Sequence, residues 1–273
     1  MTAVPVEPDT QATPADRVES AELAEPADPA ETPRALTLIH RDAQLLALHT
    51  PAGLLVHPSA LDAHVRDDVL SRLRAQGEGP VWLLHRLDKG TSGVLLLARD
   101  AGTASQLGEL FAGRQPGLGK HYLALVRGWP ADAGEIDEPL ARDPELPSAG
   151  QQRLAASTRW QVLKRLLLPI SSDGRHDDTR LALVAVQPLS GRRHQIRRHF
   201  KTLAHPLIGD TTHGKGPLNR ALAELFGLQR LWLHAERLSL PHPASGQPLA
   251  LHAAPGPEWA VLQRWDAQPK RTA

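Results

Sequence analysis

Two short apolar runs, VWLL (81–84) and VLLLA (94–98), bracket a nine-residue polar insert, HRLDKGTSG (85–93). Runs of this length, bounded by turn residues, are best read as buried strands, which commits the chain to a sheet. Gly90 and Gly93 let the insert close as a tight turn between them. Arg86 and Asp88 then stand two residues apart on a loop held between rigid elements.

The rest of the chain supplies both strands and helices. LTLIHRDAQLLALHTPAGLLVHP (36–58) holds apolar runs separated by Arg-Asp and Pro-Ala-Gly, predicting strands and tight turns. In RDDVLSRLRAQ, Val69, Leu70 and Leu73 recur at helical spacing. DAGTASQLGELFAGRQ reads as a helix with Asp100 or Thr103 as N-cap and an apolar stripe of Ala104, Leu107 and Phe111. KHYLALVRGW is a strand with Tyr122, Ala124 and Val126 on one face and Leu123 and Leu125 on the other. STRWQVLKRLLL and TRLALVAVQPL form a strand pair joined by the polar loop PISSDGRHDD. Ile196, Phe200 and Leu203 recur at i, i+4 and i+7, predicting a helix that ends before His205-Pro206. QRLWLHAERLSLPHP is a further strand, and GPEWAVLQRWD a short closing helix. Strands and helices do not alternate regularly, which favours α+β over a doubly wound α/β fold.

Composition narrows the functional classes. The chain has no cysteine, which removes disulfides, thiolate metal sites and cysteine nucleophiles and fits a reducing cytoplasm. No apolar run approaches the roughly 20 residues that span a membrane, and the N-terminus lacks a signal-peptide pattern. Residues 1–34 hold six prolines, no aromatic residue and a net charge of −6, so they are expected to be a disordered tail. The remainder carries +7, and a basic body of that kind suits a polyanionic partner. Residues 35–266 are expected to form the folded domain, and 267–273 a short C-terminal tail.

An aspartate in a strand-connecting turn is usually a turn former or cap. The competing reading of Asp88 is a carboxylate that reacts. Burial under a substrate would raise its pKa from about 3.9, and a nearby guanidinium would oppose that rise. This reading therefore requires a basic partner from elsewhere in the chain. GRRHQIRRHFK (191–201) offers one: five Lys or Arg occur from Arg192 to Lys201, with no acid among them. Arginines at a helix N-terminus oppose the helix dipole by roughly 0.3–1 kcal/mol each, so stability does not select them. Binding phosphates or a carboxylate does. Arg193 and Arg197 are one turn apart, and Arg197 neighbours the buried Ile196. Tyr122, the only tyrosine, is either core or a flat surface for stacking a base. A metal site is not expected. HExxH is absent, and His194 and His199 lie about 140° apart around a helix. Gly-rich phosphate loops are absent too.

Together these stretches resemble the RluA-type pseudouridine synthase family. HRLDKGTSG (85–93) is similar to its HRLDxxTSG motif, PAGLLVHP (51–58) to its first motif and KHYLALVRG (120–128) to its KxYxAxVxG strand. GRRHQIRRH (191–199) resembles GRxHQIRxH. HPLIGD (205–210) and LHAERLSLPHPASGQPL (233–249) follow in family order. The resemblance spans roughly 36–255. It implies a mixed, mainly antiparallel sheet with flanking helices and a central RNA-binding cleft. It implies Asp88 as catalytic carboxylate, Arg197 as its basic partner, Tyr122 as the ring that stacks on uracil and Arg86 as the residue that displaces the target base. Lys120, Arg192, Arg193, His194, Gln195, Arg198 and Lys201 are then candidates to hold RNA. No metal or organic cofactor is implied. Thr50 stands where the family usually has lysine, with His49 beside it as a substitute.

HGKGPLNRALAELFGLQRLWLHA (213–235) is most like the tRNA-modifying C type of that family, which implies uridine 65 of the acceptor stem as target. Structured RNA is the expected partner, tRNA before ribosomal RNA, and a monomer the expected state. Attack at C1′, attack at C6 and a glycal route all fit the sequence. The rivals are the same reaction on ribosomal RNA, a catalytically silent RNA-binding protein, and a glycosidase-like enzyme. The last would need a second carboxylate opposite Asp88.

Overall fold

The computed structural model describes residues 35–57, 67–113, 116–171 and 176–265. The expected tails at 1–34 and 267–273, and part of the loop after 168, lie outside them. Strands β1 (Thr37–Arg41) and β2 (Leu45–Thr50) form a hairpin. Helix α1 (Val69–Ala75) begins at Asp68, whose side chain accepts from the Ser71 amide. Then come β3 (Trp82–Leu83) and β4 (Ser92–Ala98). The expected apolar strand at 81–84 is thus trimmed to two residues. Helix α2 (Ala101–Phe111) is capped by Asp100, which takes the Thr103 amide at 2.8 Å. Leu110 takes the deep place expected for Phe111, whose ring stacks on His85 with centroids 4.9 Å apart.

Strand β5 (Gly119–Arg127) splits its faces as the sequence predicts. Ala124 and Val126 pack in one cluster with Tyr122 against it, while Leu123 and Leu125 pack in another. Three short strands add to those the sequence predicts: β6 (Ala133–Asp137), β7 (Leu140–Ala141) and β8 (Arg153–Leu154), too short for a clear alternation. Strands β9 (Ser157–Leu168) and β10 (Thr179–Pro188) pair antiparallel. Helix α3 (Gln195–Thr202) buries Ile196 and Phe200, with Leu203 as its C-cap. Helix α4 (Gly216–Phe226) is an addition to the predicted elements. Proline in its first turn, buried Leu218 and Leu222 one turn apart, and Gly227 at φ 68 are the start, stripe and stop that mark it. Strands β11 (Leu233–Pro241) and β12 (Pro248–His252) precede a closing 3-10 helix (Pro257–Trp265).

Among the described residues one ten-stranded sheet runs β1-β2-β4-β11-β5-β10-β9-β6, with β3 on β4 and β12 on β11. Every pairing is antiparallel except β4 with β11, where Ser92 faces His234 and Gly93 faces Ala235. The fold is therefore α+β with a mixed, mainly antiparallel sheet. All seven residues of β4 are buried, so each of its leucines and its valine adds about 1.5–3 kcal/mol of apolar burial. That strand is the rigid wall from which the preceding turn projects. No helix among the described residues is long and apolar enough to cross a membrane.

Candidate active site

The insert between β3 and β4 is held at several points. Leu87 is 8 % exposed and packs into the core cluster beneath it. The Thr91 amide donates to the Asp88 carbonyl at 2.7 Å, closing the turn, and the Gly53 amide donates to the Lys89 carbonyl at 2.7 Å. At the turn's start, the Leu96 amide donates to His85 Nε2 at 3.0 Å. Burial, helped by the Lys120 charge, pushes the His85 pKa down to about 3, so the ring is a neutral acceptor. At its end Gly93 has φ +119, and a Cβ there would lie 2.2 Å from the Ala235 carbonyl oxygen. Only glycine lets β4 approach β11 so closely. Gly90 is needed for space, because a Cβ would meet Leu231 at 2.8 Å.

Behind the turn, Ser92 Oγ meets His234 Nδ1 at 2.8 Å, and His234 Nε2 meets the Ala253 carbonyl at 2.8 Å. The carbonyl fixes the proton on Nε2, so Nδ1 accepts from the serine hydroxyl. Arg230 also donates to Ser92 Oγ at 2.8 Å and pairs with Glu258. This network ties the turn to β11 and the closing helix.

Asp88 keeps 26 % of its side chain exposed. Arg197, 8 % exposed, donates from Nη1 to Asp88 Oδ2 at 2.9 Å. The distant basic partner that the sequence argument required is therefore present. Its other nitrogens are engaged by Asp210: Nε to Oδ2 at 2.8 Å and Nη2 to Oδ1 at 2.9 Å. Burial opposes charge on Arg197, but Asp210 and Asp88 outweigh it and raise its pKa. Burial likewise opposes the Asp210 anion, and Arg197 with the His213 and Thr212 amides lowers its pKa nonetheless. Asp210 was missed in the sequence, where it closes HPLIGD; an acid soon after an acid-free basic helix was the signal available.

Tyr122 lies on β5 opposite Val186 and Ala235. Burial and the Asp88 charge both push its hydroxyl pKa up, so it is a neutral phenol that can donate but not act as a phenolate. Arg86 is exposed and makes no ion pair among the described residues. His194 holds Nε2 3.9 Å from Asp88 Oδ1, and its Nδ1 meets His213 Nε2 at 3.3 Å. Burial lowers both imidazoles, His213 to about 4.

The remaining candidates divide. Gln195 is 5 % exposed and is not presented to RNA. Its oxygen accepts from Ser190 Oγ and the Arg192 amide, and its nitrogen donates to the Ser157 carbonyl and Thr158 Oγ1. A buried amide consumed by four partners is a clamp for the start of α3. Arg193 precedes the helix, because His194 is the N-cap in left-handed conformation at φ 54. It therefore does not share a helical face with Arg197 and pairs with Glu145 and Asp143 instead. Lys120 donates to the Ser190 carbonyl at 2.6 Å, and burial lowers its pKa to about 8, with the Arg192 charge adding to the effect. Arg192 donates to the Ala155 carbonyl and Arg198 to that of Ala141, while Lys201 is exposed. Thr50 is buried, and its hydroxyl has no hydrogen-bond partner among the described residues. His49 packs edge-on against His234 at 5.7 Å, and no hydrogen bond among the described residues joins it to Asp88.

Among the described residues, His40, Asp42 and His242 bring three ligand atoms together, two imidazole nitrogens and a carboxylate oxygen. His242 Nδ1 accepts from the Ala244 and Ser245 amides, which places its proton on Nε2, facing Asp42. That tautomer offers a metal no lone pair. The cluster closes the β1–β2 turn.

The model of the RNA pseudouridylate synthase family matches residues 44–202. A tRNA pseudouridine synthase C of Vibrio cholerae is 40 % identical over 83 % of this chain and 94 % of its own length. One of Haemophilus ducreyi is 42 % identical with the same two coverages. Among solved structures, human RNA pseudouridylate synthase domain containing 4 aligns at TM-score 0.60 and 26 % identity, covering 85 % of this chain and 94 % of that one. Human RNA pseudouridylate synthase domain containing 1 aligns at TM-score 0.65 and 24 % identity, covering 89 % and 91 %, which bears on the fold. Family match and relatives converge on one assignment: this chain belongs to the RNA pseudouridylate synthases, isomerases that convert uridine in RNA to pseudouridine.

Proposed function

We propose that the protein isomerises uridine 65 of the tRNA acceptor stem, with Asp88 as the reacting carboxylate. The relatives named tRNA pseudouridine synthase C support the tRNA target. The observation that carries the role of Asp88 is its position. It is a part-exposed carboxylate on a rigid turn, with a buried guanidinium 2.9 Å away. The reaction breaks the N1–C1′ bond, turns the uracil and joins C5 to C1′; C5 loses a proton and N1 gains one. A stacked base cannot do this, so the nucleotide must leave the helix. Exposed Arg86 suits the vacated position in the stack. Tyr122 lies under the detached ring and keeps it from escaping. Arg192, Arg193, Arg198 and Lys201 hold phosphates. Arg197 keeps the Asp88 anion in place while substrate excludes water.

The test is to map pseudouridine in total RNA from cells with and without the protein, and with Asp88→Asn. Loss at tRNA position 65 alone supports the proposal. Loss in ribosomal RNA moves the target, release of free uracil points to a glycosidase, and activity retained by Asp88→Asn removes the assigned role.

A further inference from the structure

Asp88 divides its two oxygens. Oδ2 accepts from Arg197 Nη1 at 2.9 Å, while Oδ1 lies 3.9 Å from His194 Nε2. That separation is too long for a hydrogen bond. Stability does not select histidine at this position. His194 is the N-cap of α3, where Ser, Thr, Asp or Asn would bond the first amides, yet its side chain makes no cap hydrogen bond. Its φ is 54, a left-handed backbone that suits glycine better. The ring instead turns towards Asp88, and both side chains keep some exposure, 14 % and 26 %. His213 backs it, with ring centroids 5.4 Å apart and Nε2 3.3 Å from His194 Nδ1. His213 is fixed in turn, because its amide donates to Asp210 Oδ1 at 2.8 Å. Asn219 clamps the same segment, accepting from the Gly209 amide and donating to the Asp210 carbonyl, both at 2.9 Å. Gly209 has φ +74, and a Cβ there would overlap the Arg230 carbonyl. The Asp88–Arg197 pair needs none of the histidines.

The proton on His194 is placed by its surroundings. Burial disfavours both imidazolium forms, so each ring carries one proton. An Nε2 lone pair would face the Asp88 anion, so Nε2 holds the proton and Nδ1 accepts from His213 Nε2. A donor and an acceptor thus stand 3.9 Å apart. An oxygen about 2.8 Å from each fits between them, provided that it both accepts and donates. In a uridine flipped against Asp88, the carbonyl, ring and phosphate oxygens accept only, N3–H donates only, and O3′ and O5′ are esterified. The ribose 2′-hydroxyl, on the carbon next to C1′, does both. We infer that His194 and Asp88 together hold the 2′-hydroxyl of the target nucleotide, His194 Nε2 donating to it and Asp88 Oδ1 accepting from it. The inference rests on Asp88 being the reacting carboxylate. The contact sets Oδ1 against C1′ and C2′, and it makes the site select ribose over deoxyribose.

The experiment pairs a substrate change with a protein change. Wild type, His194→Asn and Asp88→Asn act on tRNA carrying uridine or 2′-deoxyuridine at the mapped target position, the remainder being RNA. Asparagine tolerates the left-handed backbone but is too short to reach the hydroxyl. The deoxy substrate should lower wild-type kcat/KM about ten- to a hundredfold. In His194→Asn, kcat/KM for the ribose substrate should fall about tenfold, and the deoxy penalty should shrink by more than about threefold, because half of the contact is already gone. A merely structural His194 would lower turnover of both substrates equally, so a penalty kept within about threefold of wild type overturns the inference. Wild type that turns over both substrates equally overturns it without any variant. If His194→Asn does not fold, His213→Phe, which removes the donor to His194 Nδ1, decides by the same criterion. An inactive Asp88→Asn with an unchanged penalty in His194→Asn refutes this inference alone; an active Asp88→Asn refutes the reading beneath it.

Discussion

Asp42 and Asp88 are the same side chain in similar places, each in a turn beside strands of one sheet, and the fold treats them in opposite ways. Asp42 is saturated. Its Oδ1 accepts the Gln44 and Leu45 amides at 2.7 and 2.8 Å, and its Oδ2 meets the Nε2 atoms of His40 and His242. Burial works against its charge, but the Gln44 amide, the two imidazoles and the Leu45 amide hold its carboxyl well below the usual range. Asp88 has one direct side-chain partner among the described residues, Arg197, and the group nearest its other oxygen is His194 at 3.9 Å. A carboxylate with every lone pair spoken for stabilises a turn. One fixed by its backbone yet short of partners is available for chemistry. The turn-former reading that sequence statistics favour for any loop aspartate is right for Asp42.

Substitutions at the two turns test this contrast. The largest effect belongs to Asp88→Asn, which should lower pseudouridine formation by at least about 10²–10⁴-fold, read by mass spectrometry of modified tRNA, with little change in melting temperature. Next is Gly93→Ala. With φ +119 and a carbonyl oxygen 2.2 Å from the new Cβ, it should cost at least about 2–3 kcal/mol in urea unfolding and displace the Asp88 turn. Asp42→Ala should cost about 1–2 kcal/mol in the same assay and leave kcat per folded molecule unchanged. Lost turnover there would erase the distinction between the two aspartates.

The most gradual effect is a pH dependence. His85, His213 and His234 have folded pKa values of about 3, 4 and 4, lowered chiefly by burial, below the ordinary 6.5. Between those values the unfolded chain binds more protons. Their contribution is therefore complete above pH 6.5 and declines as pH falls towards 4, by at most about 1.4 kcal/mol per pH unit for each ring. The Asp42 contribution has the same sign, but it is lost only below about pH 4, where its unfolded form protonates. Urea midpoints at pH 7, 6, 5 and 4 check the order. A flat profile from 7 to 4 would mean the rings are not held neutral.

Much of this was legible from residues alone. Strand β5 shows its two faces because alternation is local, and α2 shows its start because Asp100 caps through a side chain three residues away from the amide it meets. Even the requirement for a cation beside Asp88 followed from charge and burial. The failures have one cause. Gln195 looked like part of an RNA-binding run because its neighbours are basic, but its four partners come from residues 157, 158, 190 and 192. Arg193 looked like a helical partner of Arg197 because the left-handed His194 between them leaves no mark in composition.

Local order thus determined the elements, the turn that carries Asp88 and the family to which the chain belongs, because periodicity, caps and motifs act over a few residues. Tertiary structure decided which charges meet. Asp88 and Arg197 are 109 positions apart, and Arg197 and Asp210 are joined by a fork that depends on the Gly209 backbone and the Asn219 clamp. Charge–charge contact depends on ångström distances in a low-dielectric interior, and only packing sets those distances.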